Sequence, residues 1–218
     1  MPGNGRRDFL KLAGSAGMGL ALIPGAFWLT DAVAAVPVAG GYLLVDSKKC
    51  AGCLSCMLAC SLVHEGREEL SLSRIQILQD PFGHFPTDVA PAQCRQCVEP
   101  PCLEACPTGA LQADSAHANV RTVDAEKCNG CRKCLSACAF TPARIQWNPE
   151  TRRAQKCDLC SRAPFWKEAG GPGGKQACIE VCPMRAIRFT AAVPEQSERG
   201  YNVNLRNQNW KKLGFPVD

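Results

Sequence analysis

Aromatic side chains are scarce: Phe, Trp and Tyr together make 6% of 218 residues, and only two are tyrosine. This excludes a large core of stacked rings. It also removes the aromatic-interleaved basic patch expected of a nucleic-acid binder, so the formal charge of +5 is no argument for nucleic acid. Histidine occurs three times, at His64, His84 and His117. The three are isolated and none sits in a nucleophile or metal motif, so they read as ordinary surface or core residues and no catalytic constellation is visible. Long uncharged runs are missing too, except one near the start. Disorder is excluded by a hydrophobic content of 46%. The length suits one ordinary domain or two small ones. What is abundant is Gly (19), Pro (16) and above all Cys (16), which points to many turns, few long helices and a fold organised by cysteine.

The exceptional run defines residues 1–35. Arg6 and Arg7 are adjacent and lead into Asp8, Phe9, Leu10 and Lys11, after which Leu12 to Thr30 carries no charge. Small residues at Ala32, Val33, Ala34 and Ala35 suit cleavage after Ala34 or Ala35. The Arg-Arg-Asp-Phe-Leu-Lys run resembles the twin-arginine export motif, with Gly5 where Ser or Thr is usual. The expectation is a twin-arginine signal over 1–35, or, if retained, an N-terminal anchor, since nineteen uncharged residues nearly span a bilayer. The resemblance implies a periplasmic protein exported already folded, with its cofactor loaded in the reducing cytoplasm. It could be membrane-associated through a partner or through that anchor.

All sixteen cysteines fall into four quartets with none left over. The first is Cys50, Cys53, Cys56 and Cys60, spaced C-x2-C-x2-C-x3-C. The second is Cys94, Cys97, Cys102 and Cys106, followed by Pro107. The third, Cys128, Cys131, Cys134 and Cys138, repeats the first spacing. The fourth is Cys157, Cys160, Cys178 and Cys182, with a long gap inside it and Pro183 after it. The C-x2-C-x2-C-x3-C run is the bacterial [4Fe-4S] signature. Two residues between cysteines bring three thiolates around one cubane and aim backbone N–H groups at its sulfides. The fourth Cys is expected where a short helix begins, pointing away to a second cluster, with the following Pro in the helix's first turn. A structural zinc takes four ligands, typically from two separated pairs, so it suits four cysteines in eleven residues poorly. Disulfides suit cysteines packed this tightly no better. The C-x3-C-x2-C spacing of radical S-adenosylmethionine chemistry is absent.

Short strand-like runs flank the quartets: residues 42–45, 110–113, 120–123, 143–147, 152–155 and 186–189. These predict small antiparallel hairpins. The fold class expected is α+β: two ferredoxin-like modules, each binding two [4Fe-4S] clusters, with short hairpins and helical turns, in a domain over residues 41–190. Residues 61–93 break the repeat with a strand over 74–78 and a loop over 80–86. Residues 161–177 break it with Phe165, Trp166 and a Gly-rich stretch. The tail, residues 191–218, is polar. Such extensions serve either as partner-docking segments or as plain surface loops.

The four quartets in this order resemble the iron–sulfur electron-transfer subunits of the dimethyl sulfoxide reductase family of complexes. The most specific stretches are Cys94-Arg95-Gln96-Cys97 through Cys106-Pro107-Thr108-Gly109-Ala110, and Lys156-Cys157-Asp158-Leu159-Cys160. The resemblance implies that the first quartet pairs with the fourth and the second with the third. Four [4Fe-4S] clusters are then held, respectively, by Cys50, Cys53, Cys56 and Cys182; by Cys60, Cys157, Cys160 and Cys178; by Cys94, Cys97, Cys102 and Cys138; and by Cys106, Cys128, Cys131 and Cys134. It implies a non-catalytic subunit that relays electrons between a catalytic partner of the molybdopterin or tungstopterin type and a membrane quinone-reacting subunit or a soluble redox partner. A free-standing periplasmic polyferredoxin is the main alternative, and a structural zinc or disulfide protein a remote one.

Lys48, Lys49, Arg95, Lys127, Arg132, Lys133 and Lys156 stand beside the cysteines, as solvated charges or as cations that favour reduced clusters. Removal of residues 1–35 leaves a chain of +4. Each oxidised cubane with its thiolates carries about −2, so the loaded protein would be roughly −4.

Overall fold

The computed structural model describes residues 36–84 and 88–194. The expected leader over 1–35 lies outside the described residues, as does the tail from 195 on. Regular elements are short and come in the order β1 (Tyr42–Val45), α1 (Ser55–Glu65), β2 (Gln76–Gln79), β3 (Val89–Ala92), α2 (Pro101–Glu104), β4 (Leu111–Asp114), β5 (Val120–Val123), α3 (Lys133–Ala137), β6 (Ile145–Asn148), β7 (Arg153–Lys156), α4 (Ala177–Glu180) and β8 (Ile187–Thr190). The strands form four antiparallel ribbons of two: β1–β8, β2–β3, β4–β5 and β6–β7.

Local chemistry sets the turns. Between β4 and β5 the Asp114 side chain accepts from Ala116 N at 3.1 Å, and Ala118 and Asn119 take left-handed φ of 50° and 59°. Between β6 and β7 the Asn148 side chain accepts from the backbone of Glu150 and of Thr151, both at 3.0 Å. That is the Asx-turn chemistry of Asn and Asp.

Two ribbons share one construction. In β1–β8, Val45 pairs with Ile187, and the next rung is Asp46 N to Ala186 O at 2.8 Å. In β4–β5, Val123 pairs with Leu111, and the next rung is Asp124 N to Ala110 O at 2.7 Å. Asp46 O then receives Cys50 N at 3.1 Å, and Asp124 O receives Cys128 N at 3.2 Å. Each ribbon thus delivers a following quartet and a preceding one to the same end. The first quartet meets the fourth, and the second meets the third. The helices agree, with α1 packed on α4 and α2 on α3.

Cysteines are built into the buried core among aliphatic side chains. Leu43, Val45, Ile75, Ile77, Val120 and Leu159 pack among Cys56, Cys60, Cys94, Cys157 and Cys178. Leu111, Ile145 and Ala154 pack against Cys134. No helix among the described residues is long and apolar enough to cross a membrane.

Two expectations need correction. The fourth cysteine does not begin a helix: α2, α3 and α4 each start one residue before the third cysteine and end before Cys106, Cys138 and Cys182, while α1 runs through Cys60. The reason is the spacing itself, because an x3 gap is one helical turn. Pro107 and Pro183 accordingly stand in turns after the fourth cysteine, not in a helix. The strand expected over 74–78 forms as β2, two residues later, and it pairs with β3, which the sequence did not suggest. β3 carries Pro91, tolerable in a ribbon of two because a missing N–H faces no third strand.

Candidate metal centres

Three enclosed cavities are each walled by four cysteines. One is lined by Cys50, Cys53, Cys56 and Cys182, with Leu54, Ile77 and Met184. A second is lined by Cys106, Cys128, Cys131 and Cys134. The third is lined by Cys60, Cys157, Cys160 and Cys178. Cys94, Cys97, Cys102 and Cys138 form a fourth set: both Cys97 and Cys102 lie within electrostatic reach of the other two members. These are the four groupings that the family resemblance implies. All sixteen thiols are free of disulfide bonds.

The backbone that carries the sets is strained in a regular way. The residue before the second cysteine has positive φ in every quartet: 64° at Gly52, 47° at Gln96, 75° at Gly130 and 56° at Leu159. In the first and third quartets the residue after it does so as well, Leu54 at 63° and Arg132 at 60°. Left-handed residues at a tight turn aim successive N–H groups inward, a concavity suited to anions. Each fourth cysteine also accepts a backbone N–H from downstream. Arg74 N reaches Cys60 Sγ at 3.4 Å and Leu111 N reaches Cys106 Sγ at 3.5 Å. Arg144 N reaches Cys138 Sγ at 3.2 Å and Ala186 N reaches Cys182 Sγ at 3.3 Å.

Left as thiols, several of these groups resist ionisation. Burial pushes Cys56 up to about 12, and its neighbours Cys50 and Cys53 add to the effect. Burial does the same to Cys160, also to about 12, and to Cys97 and Cys134, to about 11, the last two again with cysteine neighbours opposing a second charge. Four thiolates share such a site only around a cation. Yet among the described residues no three Cys, His, Asp or Glu side chains are close enough to hold a single metal ion. A zinc ion would draw its sulfurs to about 2.3 Å of one point. The cages are wider than that and fit a cluster of several atoms. Orphaned donors support the fit. The fully buried Tyr42 hydroxyl and the Arg121 Nε have no hydrogen-bond partner among the described residues, and both groups lie within electrostatic reach of Cys97. Both can donate to an anionic sulfur cluster, which is what the residues of this set would hold.

One buried polar network was not legible beforehand. His64 Nε2 lies 2.9 Å from Asp158 Oδ1, and Arg74 Nη1 donates to Asp158 Oδ2 at 2.8 Å. Cys160 N also donates to Asp158 Oδ1, at 3.0 Å. His64 Nδ1 faces Cys60 O at 2.8 Å and Cys60 Sγ at 3.8 Å. Burial opposes every charge here, yet the partners prevail. The His64 hydrogen bond and Arg74 hold Asp158 down to about 2, and the bonds to Asp158 and Cys60 lift His64 to about 9. Burial raises Cys60 as well, but His64 and Arg74 leave it below its ordinary value. His64 is therefore a core residue beside a cysteine cage. His117 sits at the surface of the β4–β5 turn, against Asp114 at 2.8 Å. Among the cations singled out above, Lys127, Arg132 and Lys133 are exposed, Lys48, Lys49 and Arg95 are half-buried, and Lys156 is buried. Arg132 stacks over the Trp147 ring at 4.0 Å.

A family profile described as a 4Fe-4S dicluster domain matches residues 86–192, a span that takes in the last three quartets. The chain is 32% identical over 152 residues to the thiosulfate reductase electron transfer subunit PhsB of Salmonella typhi, covering 67% of this chain and 73% of that one. It is 36% identical over 150 residues to protein NrfC of Escherichia coli (strain K12), covering 66% of this chain and 62% of NrfC. It is also 34% identical over 171 residues to the beta subunit of the NADH-dependent phenylglyoxylate dehydrogenase of Aromatoleum evansii, covering 78% of this chain and 33% of that one.

Proposed function

This chain belongs to the 4Fe-4S dicluster family, with relatives named as electron transfer subunits, and from that premise we propose that it is a non-catalytic electron-transfer subunit with four [4Fe-4S] clusters. The ligand sets are Cys50, Cys53, Cys56 and Cys182; Cys60, Cys157, Cys160 and Cys178; Cys94, Cys97, Cys102 and Cys138; and Cys106, Cys128, Cys131 and Cys134. They form two modules in one domain over residues 41–190, the first and fourth quartets in one and the second and third in the other. The observation that carries this reading is the lining of the three cavities, each by four cysteines drawn from two quartets. Bound in such a cage, a cubane takes up and releases one electron at a time.

The chain's own residues do the rest. The backbone N–H groups of Arg74, Leu111, Arg144 and Ala186, donated to the sulfurs of Cys60, Cys106, Cys138 and Cys182, stabilise thiolate charge. Cys53 and Cys131 are exposed, whereas Cys157, Cys160 and Cys178 are buried. Electrons therefore enter and leave through the sets that hold Cys53 and Cys131, and the other two sets bridge them. The partners are a catalytic oxidoreductase subunit of the molybdenum or tungsten type and a membrane quinone-reacting subunit or a soluble carrier. The place of work is the periplasm, reached folded through the twin-arginine route.

The test is anaerobic purification. The reading expects broad absorption near 400 nm that bleaches on reduction, about sixteen irons per chain (four per cubane), and co-purification of a larger cofactor-bearing subunit. Colourless protein with bound zinc would overturn it, and coloured protein with no partner would favour a free carrier.

A further inference from the structure

Arg121 is the largest fully buried side chain among the described residues. It sits on β5, the short strand Val-Arg-Thr-Val, and its guanidinium meets only neutral backbone. Nη1 donates to Asn119 O at 2.7 Å and to Pro37 O, and Nη2 donates to Cys97 O at 3.0 Å. Nε has no partner, and Arg121 makes no ion pair among the described residues. Its own backbone N–H is held by the Gln96 side chain at 2.7 Å, and Gln96 precedes Cys97. A buried cation without a counter-anion is costly, and proteins rarely keep one unless an anion is near. The titratable groups within electrostatic reach of Arg121 are the Tyr42 hydroxyl and, after it, Cys94, Cys97 and Cys102. Lys156, at the end of β7, is 2% exposed and has no ion-pair partner among the described residues. Its charge acts on Cys97 and Cys102. Two unpaired buried cations on two different strands thus converge on a single cysteine set. The set of Cys60, Cys157, Cys160 and Cys178 differs, because its neighbour Arg74 is matched there by the carboxylate of Asp158.

Resting on the reading above, we propose that Arg121 and Lys156 are the electrostatic tuning residues of the cluster held by Cys94, Cys97, Cys102 and Cys138, raising its midpoint potential. Reduction adds one electron and one negative charge to the cluster, and no bond is made or broken. The two fixed cations stabilise that added charge more than the oxidised state, so this centre accepts its electron at a higher potential than the cysteine cage alone would set. Neither side chain is a ligand, and neither touches a substrate.

The experiment is a redox titration of the purified, iron-loaded full chain, followed by electron paramagnetic resonance. Cys102→Ser identifies which signal belongs to this set. Arg121→Gln and Lys156→Met, made separately, are each expected to shift that one signal's reduction equilibrium at least tenfold toward the oxidised form, about 59 mV for a one-electron couple. Arg121→Lys should restore most of the shift. The other three signals stay in place in every variant. Unmoved midpoints in both neutral variants, or a common shift of all four signals, would overturn the proposal. Lys156 stands on a different strand from Arg121, so Lys156→Met gives a reading even where Arg121→Gln fails to fold. Failure of the underlying reading looks different: the unmodified chain would show no reducible iron–sulfur signal.

Discussion

The imidazole of His64 and the carboxylate of Asp158 meet at 2.9 Å in the interior, 94 residues apart along the chain. His64 rides on α1 between Cys60 and the end of the helix, and Asp158 stands between Cys157 and Cys160. The contact ties the first quartet to the fourth without using a cysteine. It also removes the backbone N–H of Cys160 from the list of unmet donors.

Asp158→Ala should therefore be severely destabilising. It strands His64 without a carboxylate in a buried site and leaves Arg74 only Glu65, at 3.7 Å, a change that costs on the order of 3–5 kcal/mol. Asp158→Asn keeps an acceptor for Cys160 N and should lose less. Thermal unfolding of the iron-loaded proteins checks both, and an Asp158→Ala midpoint within a degree or two of the unmodified chain would refute the structural role assigned to the pair.

The cages were legible in the sequence because their chemistry is local. Within a quartet, ligand spacing and turn geometry are set by neighbours in the chain, so Cys128, Cys131 and Cys134 announce a cage unaided. The β4–β5 and β6–β7 hairpins were legible to within two residues for the same reason, whereas β3 was not foreseen and β1 pairs with β8 across the whole domain. Long-range pairs were not. Nothing near His64 marks Asp158 as its partner. Arg121 stands in an alternating strand where a charged residue reads as solvent-facing, yet Val120, Arg121 and Thr122 are all buried, since the strand is covered on both faces. The x3 gap is itself one helical turn, so the helix precedes the fourth cysteine, and the Pro after it marks the turn that follows.

Asp114 offers a pH prediction. Arg162 donates to its Oδ2 through Nε at 2.9 Å and Nη2 at 2.7 Å, and His117 meets the same oxygen. Burial would raise the Asp114 carboxyl, but these partners hold it below its ordinary value of 3.8. A depressed carboxylate contributes stability that is full above its ordinary value and is lost as pH falls through the lowered one. The difference in unfolding free energy between the unmodified chain and Asp114→Asn should be level from about pH 8 to 6 and shrink as pH falls below about 4. Its size at neutral pH should be about 1 kcal/mol, held down because the Arg162 side chain is 42% exposed. A difference that grew on acidification would show that the carboxylate is not stabilised by this pair.

Gly130 and Gly109 give a matched contrast. Both have positive φ, 75° and 64°. A Cβ on Gly130 would come within 2.6 Å of Arg152 O, a backbone atom that cannot swing away, whereas one on Gly109 would meet nothing within 4 Å. Gly109→Ala should then cost only the left-handed penalty of about 1 kcal/mol. Gly130→Ala should cost well over that and displace Cys131, lowering iron content by about four atoms per chain. Equal midpoints and equal iron in the two variants would mean that the turn before Cys131 is more plastic than this geometry allows.

The last prediction concerns residues 1–35 and the order of assembly. Buried thiols that ionise only around a cation favour loading where cysteines stay reduced, before the chain meets an oxidising compartment. A chain folded around its iron must then travel folded, which is what the likeness of Arg6-Arg7-Asp8-Phe9-Leu10-Lys11 to the twin-arginine motif implies. Replacing Arg6 and Arg7 by Lys keeps the charge of the segment and its apolar run, so an ordinary secretory signal would still work. Cell fractionation of that variant should find the uncleaved chain in the cytoplasm, still carrying iron and still absorbing near 400 nm. Undiminished arrival in the periplasm would overturn the folded-export route and leave the site of cluster assembly to be sought after translocation.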